Sequence, residues 1–487
     1  MIDSISDKIS LYYEPWQIIR DVIAGSRTVK QKGPVYLPLA VPEQDQAAYK
    51  VYSDEVTFHP ATARVVDGLC GLLSAKPATF DGPEYLKAIM DEIAYTGESF
   101  SDMVEWGNRE TISVSYGGFL IDVPNGDIPD NQKDEIEQGF HPKVAAYAAE
   151  TILDIKVSRI RNRDRVSYVK LSEDDGNQIR ELSMVNGAYT VTIHRKNGEG
   201  GAWTVVESYT PLRKREFINE IPFVPLTPKA GKFLPSKPLM EDVAELNLDH
   251  FRCEGRITYI HYWQSMAILW VAGADPAKPK PQPILKDANG DPLPNQPPPE
   301  MEPGYTVGGP EAWSLSDPKG KVDYAEFSGT GVMSLERKLK NIEDRIAKVG
   351  AQILAGEKVA SEAAETVAMR MAAQHATLAT TARTLSRCYT IALRWVVWWM
   401  GGTREEERAT HYSLNTDYRV DTMTNEVLTN LRGMRASRDL SAETFFELLI
   451  SGGILPESLT YAEEQKRRTA EGYDEPDGML GLDDAGE

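Results

Sequence analysis

Residues 332–354 read VMSLERKLKNIEDRIAKVGAQIL, and the spacing of their apolar side chains decides how this region folds. The apolar side chains recur at intervals of three and four residues, which places them on one narrow stripe of an α-helix. The stripe consists of Val332, Leu335, Leu339, Ile342, Ile346, Val349 and Ile353. Most other positions are charged or polar, so only the stripe is expected to be buried. Such a helix packs beside neighbouring helices, as in bundles, coiled coils and rings.

The sequence on either side of the stripe predicts a second long helix and a protrusion. Residues 355–364 are rich in small side chains and interrupt the stripe. A second helix is predicted from 365 to about 400, where Gly401-Gly402 provides a suitable end. Residues 276–318 hold twelve of the chain's 30 prolines. Because proline cannot donate a backbone hydrogen bond, this stretch is predicted to be loop-rich, with short edge strands.

The remaining segments predict an α+β protein. Helical periodicity predicts helices at 5–30, 60–75, 83–113, 142–153, 238–265, 424–436, 441–452 and 460–470. The helix at 83–113 runs directly into residues 113–123, which are predicted to end as a buried strand. In residues 154–226 polar and apolar side chains alternate around two glycine turns, as in antiparallel hairpins. A short extended run follows at 412–420. The tail, 471–487, is acidic and contains no Lys or Arg, so we expect it to be disordered.

Composition restricts the function classes. The formal net charge is −20, which argues against tight sequence-independent binding to nucleic acid, because that affinity comes from Lys and Arg on phosphates. The three cysteines have neither disulfide nor zinc spacing, and the N-terminus does not resemble a secretory signal. The most apolar run, 391–400, is too short to span a membrane. These features predict a product synthesised in the cytoplasm, without a membrane partner.

Catalytic motifs are missing from the sequence. It contains no phosphate-binding Gly-x-x-x-x-Gly-Lys-Ser/Thr loop, no His-Glu-x-x-His, no Gly-x-Ser-x-Gly and no Cys-x-x-Cys. The seven histidines are scattered without metal-like spacing, and His250 is interpreted as a surface or packing residue. We therefore predict a structural protein, with no catalytic residue, no metal ligand and no cofactor.

Two sets of side chains allow more than one interpretation. A basic cluster could touch phosphate, but a solvated strand face or a subunit salt-bridge surface is favoured; it comprises Lys156, Arg159, Arg161, Arg163 and Arg165. A hydroxyl-rich set in the second long helix could form a neutral channel face or simply pack against other helices. It comprises Thr377, Thr380, Thr381 and Thr384.

The order of these parts resembles the portal protein of tailed bacteriophages, in particular its portal-like subgroup of unknown function. The resemblance covers about residues 10 to 470 and is carried by order more than by any single motif. The segments that carry it are YLP (36–38), LNLDHFR (246–252), FSGTG (327–331), LE (335–336), IEDRIAKVGAQIL (342–354), ETVA (365–368) and LRW (393–395).

The resemblance implies an elongated portal-type subunit with an α/β wing, a helical stem, a loop- and β-rich clip and a helical crown. The implied regions are the wing (1–235, with a return strand at 403–425), the stem helices (236–265 and 329–354), the clip (266–328), the tunnel loop (355–364), the tunnel helix (365–402), the crown (426–470) and the tail (471–487). Glu357, Lys358 and Glu362 in the tunnel loop would meet passing DNA, although an ordinary helix–helix loop is an equal alternative.

The resemblance also implies an assembly and its partners. Family members form a ring of twelve copies at one capsid vertex of the virion. The implied partners are further copies of the chain, the major capsid protein or scaffold, the terminase large subunit, a head–tail adaptor at the clip, and double-stranded DNA in the tunnel. The competing hypotheses are a tail or baseplate component with a coiled-coil shaft and, less favoured, a DNA-processing enzyme with a hidden site.

Overall fold

The structure is a computed structural model in which two compact units are distinguished, Met1–Asn415 and Thr416–Glu487. It describes residues 2–41, 44–122, 136, 139–160, 162–198, 201–213, 216–264, 268–272, 285–286, 319, 321–325, 330–354, 364–416, 418, 425–452, 454–455 and 459–471. For some helix and strand ends, including 349–354 and 364–376, only the backbone is described. Helices and antiparallel sheets both occur, so the α+β prediction is confirmed.

Helices carry most of the first unit. They are α1 (Asp7–Ser10), α2 (Tyr13–Ala24), α3 (Ser26–Gln31), α4 (Gln46–Glu55), α5 (Ala61–Leu73), α6 (Glu84–Met90), α7 (Phe100–Val114), α8 (Glu241–Gln264), α9 (Thr330–Leu354), α10 (Ala364–Trp399) and α11 (Arg404–Ala409). The second unit contains α12 (Asn425–Ala436), α13 (Ala442–Ser451) and α14 (Tyr461–Ala470). The helices predicted at 60–75, 238–265 and 365–400 are confirmed, as are the last three.

The strands of the first unit form antiparallel sheets. They are β1 (Thr79–Asp81), β2 (Gly117–Asp122), β3 (Lys143–Ala148), β4 (Ile152–Ile160), β5 (Arg163–Glu173), β6 (Gln178–Val185), β7 (Ala188–Lys196), β8 (Trp203–Tyr209), β9 (Leu212–Arg213), β10 (Glu216–Phe217), β11 (Phe223–Leu226), β12 (Ile268–Ala272), β13 (Lys321–Ala325) and β14 (His411–Ser413). Strands β4 to β8 form a five-stranded meander, which confirms the predicted hairpins.

Four smaller sheets accompany the meander among the described residues, and one of them pairs β9 with β10. The buried strand β2 lies between β11 and β3, and β1 pairs with β14. Strands β12 and β13 pair across the start and end of the proline-rich stretch. Nearly all of that stretch, and nearly all of the tail, lies outside the described residues.

The helix predicted at 83–113 is wrong in its middle, where the chain forms two helices. Helix α6 ends at Met90, and Gly97, in the connection to α7, adopts a φ of 84° that no α-helix contains. Ser99 then caps α7, because its side chain accepts from the Asp102 amide while the Asp102 carboxylate accepts from the Ser99 amide. The 5–30 segment is divided in a similar way, at Gly25 with a φ of 92°.

The helix predicted at 142–153 is wrong, because residues 143–148 form strand β3. Their alanines favour a helix in isolation, but β2 is buried and its backbone groups need partners on both sides. Strand β3 supplies the backbone hydrogen-bond partners on one side of β2, with Ala146 opposite Phe119 and Ala145 opposite Leu120. The pairing demand of the buried strand overrides the local helix preference.

Candidate functional site

The apolar stripe lies where α9 packs against α8. His250 Nε2 lies 3.4 Å from Glu343 Oε1, and the Cys253 thiol lies 3.6 Å from the Leu335 carbonyl oxygen. Since the residue number rises along α8 while it falls along α9, the two helices are antiparallel. We call this contact, together with the start of α5, the helix seam.

Apolar side chains from three helices fill the helix seam. The buried set is Ala61, Leu246, Cys253, Ile257, Ile342 and Ile346, and Leu335 and Leu339 pack against it while remaining partly exposed. Val332 is also buried. The stripe therefore packs in the helix seam at four of its seven positions and is buried at a fifth. The side chains of Val349 and Ile353 lie outside the described part of the chain.

A buried asparagine ties α8 to the first turn of α5. Asn247 is fully buried, and its Oδ1 accepts from the Thr62 amide at 2.9 Å and from the Thr62 hydroxyl at 3.1 Å. Its Nδ2 donates to the His59 carbonyl at 2.7 Å. The side chain at the start of α5, Pro60, provides no cap. Asn247 therefore pairs with a buried helix-end amide that has no partner within its own helix. Sequence reasoning assigned this residue no role, and its one signal was a polar residue inside an apolar helix face.

Replacing Asn247 by Ala is expected to lower the free energy of unfolding by about 2–3 kcal/mol, because a buried amide and carbonyl lose their partners. Chemical denaturation followed by circular dichroism measures the change. Glu245→Ala, on the exposed side of the same helix, is the matched control and should change stability by less than about 0.5 kcal/mol. Equal effects from the two variants would contradict the role given to Asn247.

Two histidines lie close together at the helix seam. The ring centroids of His59 and His250 are 5.8 Å apart, and His250 is buried. Loss of hydration lowers the pKa of His59, and the nearby positive charge of Arg64 lowers it further. Within the described residues, His250 Nδ1 has no hydrogen-bond partner. His250 therefore packs inside the fold, as the sequence interpretation allowed.

A groove of about 400 Å³ opens beside the seam. Its lining includes the 37–40 loop, Tyr52, Arg252, Arg256, Tyr259 and Leu335. Arg252 Nε donates to the Tyr36 carbonyl at 3.1 Å, which holds one of the two arginines in place. The lining offers positive charge and aromatic surface, so it could accept a carboxylate or a phosphate. It contains no nucleophile paired with a base.

The hydroxyl set of α10 divides into two pairs. Thr381 and Thr384 are buried, and their hydroxyls donate to the carbonyls of Thr377 and Thr380 at 3.2 and 2.9 Å. Thr377 and Thr380 are exposed. The packing interpretation therefore holds for Thr381 and Thr384, which cannot form a channel face. The predicted DNA-facing residues Glu357, Lys358 and Glu362 lie outside the described residues.

The basic cluster makes ion pairs inside its own subunit. Arg159 Nε donates to Asp164 Oδ1 at 3.0 Å, and Arg165 pairs with Glu220. Lys156 Nζ lies 3.7 Å from Asp154. The sequence favoured a solvated strand face or a subunit salt-bridge surface, and these three residues pair within the chain; Arg161 lies outside the described residues.

Neither a metal-ligand cluster nor a membrane-spanning helix is found among the described residues. No three His, Cys, Asp or Glu side chains in these ranges come together as possible metal ligands. No helix in the described part of the chain has the length and apolarity that a membrane crossing requires.

Comparisons with known proteins match part of the chain. Residues 238–400, which include the helix seam, match the family described as a domain of unknown function, DUF4055. No curated protein sequence matches the chain.

The solved structures that are similar to this chain include two chains from gene transfer agent (GTA) particles. One is from the neck of an empty particle computed with C6 symmetry, with 11% identity, a TM-score of 0.39, and 85% of this chain and 95% of that chain covered. The other is from the virion of a native particle, with 12% identity and a TM-score of 0.36; the match covers 89% of this chain and 99% of that chain.

Proposed function

We propose that this chain is a structural subunit of a phage-type virion, and specifically a portal subunit. Copies would assemble into a ring of about twelve at one capsid vertex, and duplex DNA would pass through the ring during packaging and ejection. In this proposal α8 and α9 are stem helices, residues 266–328 form the clip, and residues 355–364 form the tunnel loop.

The observation that carries the proposal is the helix seam. Helix α9 spans 25 residues, about 37 Å at 1.5 Å per residue, and buries one narrow stripe against its own subunit. Its remaining sides are exposed and charged over the described side chains. A rod that is docked on one side and exposed on the others suits a wall built from repeated copies.

The charge of the chain fits the proposed tunnel. A wall that passes DNA must not hold it, and a net charge of −20 limits adhesion to phosphates. The proposed partners are the major capsid protein or scaffold, the terminase large subunit and a head–tail adaptor at the clip. With these partners the chain acts as a scaffold and channel and carries out no catalysis.

The full chain is expected to form a closed ring of about twelve copies, visible by negative-stain averaging, with a mass that native mass spectrometry counts. A central hole wide enough for a DNA duplex is part of the expected result. A trimeric rod would favour the shaft hypothesis instead. A monomer or dimer that cleaves DNA would refute both structural hypotheses.

A further inference from the structure

Helix α9 carries opposite charges on the two sides of its apolar stripe. The stripe residues alternate between two heptad positions, with Leu339 and Ile346 at the first and Leu335 and Ile342 at the second. The residues directly before the first position are Lys338 and Arg345, which we call the basic flank. The residues directly after the second position are Glu336 and Glu343, which we call the acidic flank. At 100° per residue these flanks lie on opposite sides of the stripe.

The flank charges are little used within the subunit. All four side chains are exposed. Among the residues that the structure describes, Lys338, Arg345 and Glu336 form no ion pair. Glu343 has one long contact, 3.4 Å to His250, and its side chain remains 56% exposed. The separation of signs therefore has no explanation in the subunit's own packing.

We propose that the basic flank of α9 in one copy lies against the acidic flank of α9 in the next copy around the ring. This inference rests on the proposed function, since it names the second copy of this chain as the partner. Rotation about the ring axis keeps equivalent residues at equal height. Lys338 then lies only two residues, about 3 Å along the helix, from the height of the neighbour's Glu336, and Arg345 stands in the same relation to Glu343.

A ring of identical subunits needs two different surfaces on each subunit, such as the basic and acidic flanks of α9. A heterologous contact joins two different surfaces of identical subunits, and it closes only if one surface fits the other. Two flanks of opposite sign meet that requirement, and both repeat every seven residues, about 10.5 Å. The same positions set partner choice in coiled coils. The contact also disfavours reversed neighbours, which would place like charges together.

The test reverses one flank at a time in the full chain. Lys338→Glu with Arg345→Glu makes both flanks acidic, and Glu336→Lys with Glu343→Lys makes both basic. Each variant alone is expected to need at least about tenfold more protein than the wild type to form rings, because like charges meet. A mixture of the two is expected to restore ring formation, with the variants alternating. Native mass spectrometry of variants with different tag masses would then show equal numbers of each.

The matched control is Arg337→Glu with Lys340→Glu, which changes the charge of the same helix by the same amount outside the flanks and should leave assembly near the wild-type level. If the flank variants assemble like the wild type, or the mixture fails to restore rings, the inference is wrong while the proposed ring stands. If the wild-type chain forms no ring, the proposed function fails and the inference fails with it. Restoration in the mixture also demonstrates that both variants fold.

Discussion

Ile346→Asp is expected to lower the free energy of unfolding of the first unit by about 3–5 kcal/mol, because it places a carboxylate in an apolar site. Ile346 is 8% exposed and packs with Ile342, Leu246 and Ala61. An ionised carboxylate there has no positive partner in the buried set. A total stability of about 5–15 kcal/mol is ordinary for a domain, so the loss is a large fraction of it.

Urea unfolding followed by circular dichroism measures this loss. Ile346→Val is the matched control, and it should cost only about 1 kcal/mol, since it removes one methylene and leaves the site apolar. An Ile346→Asp chain with an unchanged midpoint would show that α9 is not docked in solution.

Because Ile346→Asp destabilises the fold, a loss of ring assembly in a variant that carries it has two possible causes. From the sequence alone, Asp at Leu339 and Ile346 is expected to abolish ring assembly while the N-terminal half stays folded. In the structure Ile346 lies in one cluster with Ala61, which belongs to that N-terminal half. A loss of rings in this variant would therefore mix a folding effect with an assembly effect. The flank variants avoid the mixture because their side chains are exposed.

Arg20→Met is expected to cost about 3 kcal/mol, because it leaves a buried carboxylate without its cation. The Arg20 guanidinium donates twice to Glu110, at 2.8 and 2.5 Å, and twice to Glu150, at 2.9 and 3.0 Å. Glu110 is 4% exposed, and its carboxylate also accepts from the Ala149 amide. The network joins α2, α7 and the turn that follows β3. About a third of Arg20 remains exposed, which places the cost at the low end for a buried pair.

A double substitution separates the cost of leaving the Glu110 carboxylate unpaired from the cost of the packing lost with Arg20. Glu110→Gln added to Arg20→Met removes the uncompensated charge, and it should recover about half of the loss in thermal or urea unfolding. The Arg109→Met variant, whose ion pair with Asp67 is half exposed on both sides, is the control and should cost less than about 1 kcal/mol. A loss below that value for Arg20→Met would contradict a structural role for the network.

Sequence reasoning succeeded where a segment carries its own period. Helices α5, α8, α9 and α10 have apolar side chains spaced for one helical face, and the buried positions of the stripe follow from that spacing alone. The meander β4–β8 could also be predicted from local sequence, because glycine turns separate runs in which polar and apolar side chains alternate. The helix predictions at 83–113 and 142–153 were wrong. In the first segment a capping box starts a new helix at Ser99, and in the second the buried strand β2 pairs with residues predicted to be helical.

The site was only partly predictable for the same reason. The stripe identifies what α9 buries, but nothing in the spacing says that Ala61, nearly 300 positions earlier, is among its partners. The role of Asn247 depends on the start of α5, 185 residues away in sequence. Such contacts form between segments whose local patterns are independent, so a single sequence carries no signal that pairs them.

The sequence by itself determined the narrow stripe, the segregation of charge beside it and the acidic balance of the chain, because each depends only on residue type and spacing. Only the tertiary structure decided which surface the stripe meets, that Thr381 and Thr384 point into the protein, and that the two flanks of α9 stay exposed. Burial is a property of the assembled core, where long-range packing chooses among faces that local periodicity leaves equivalent.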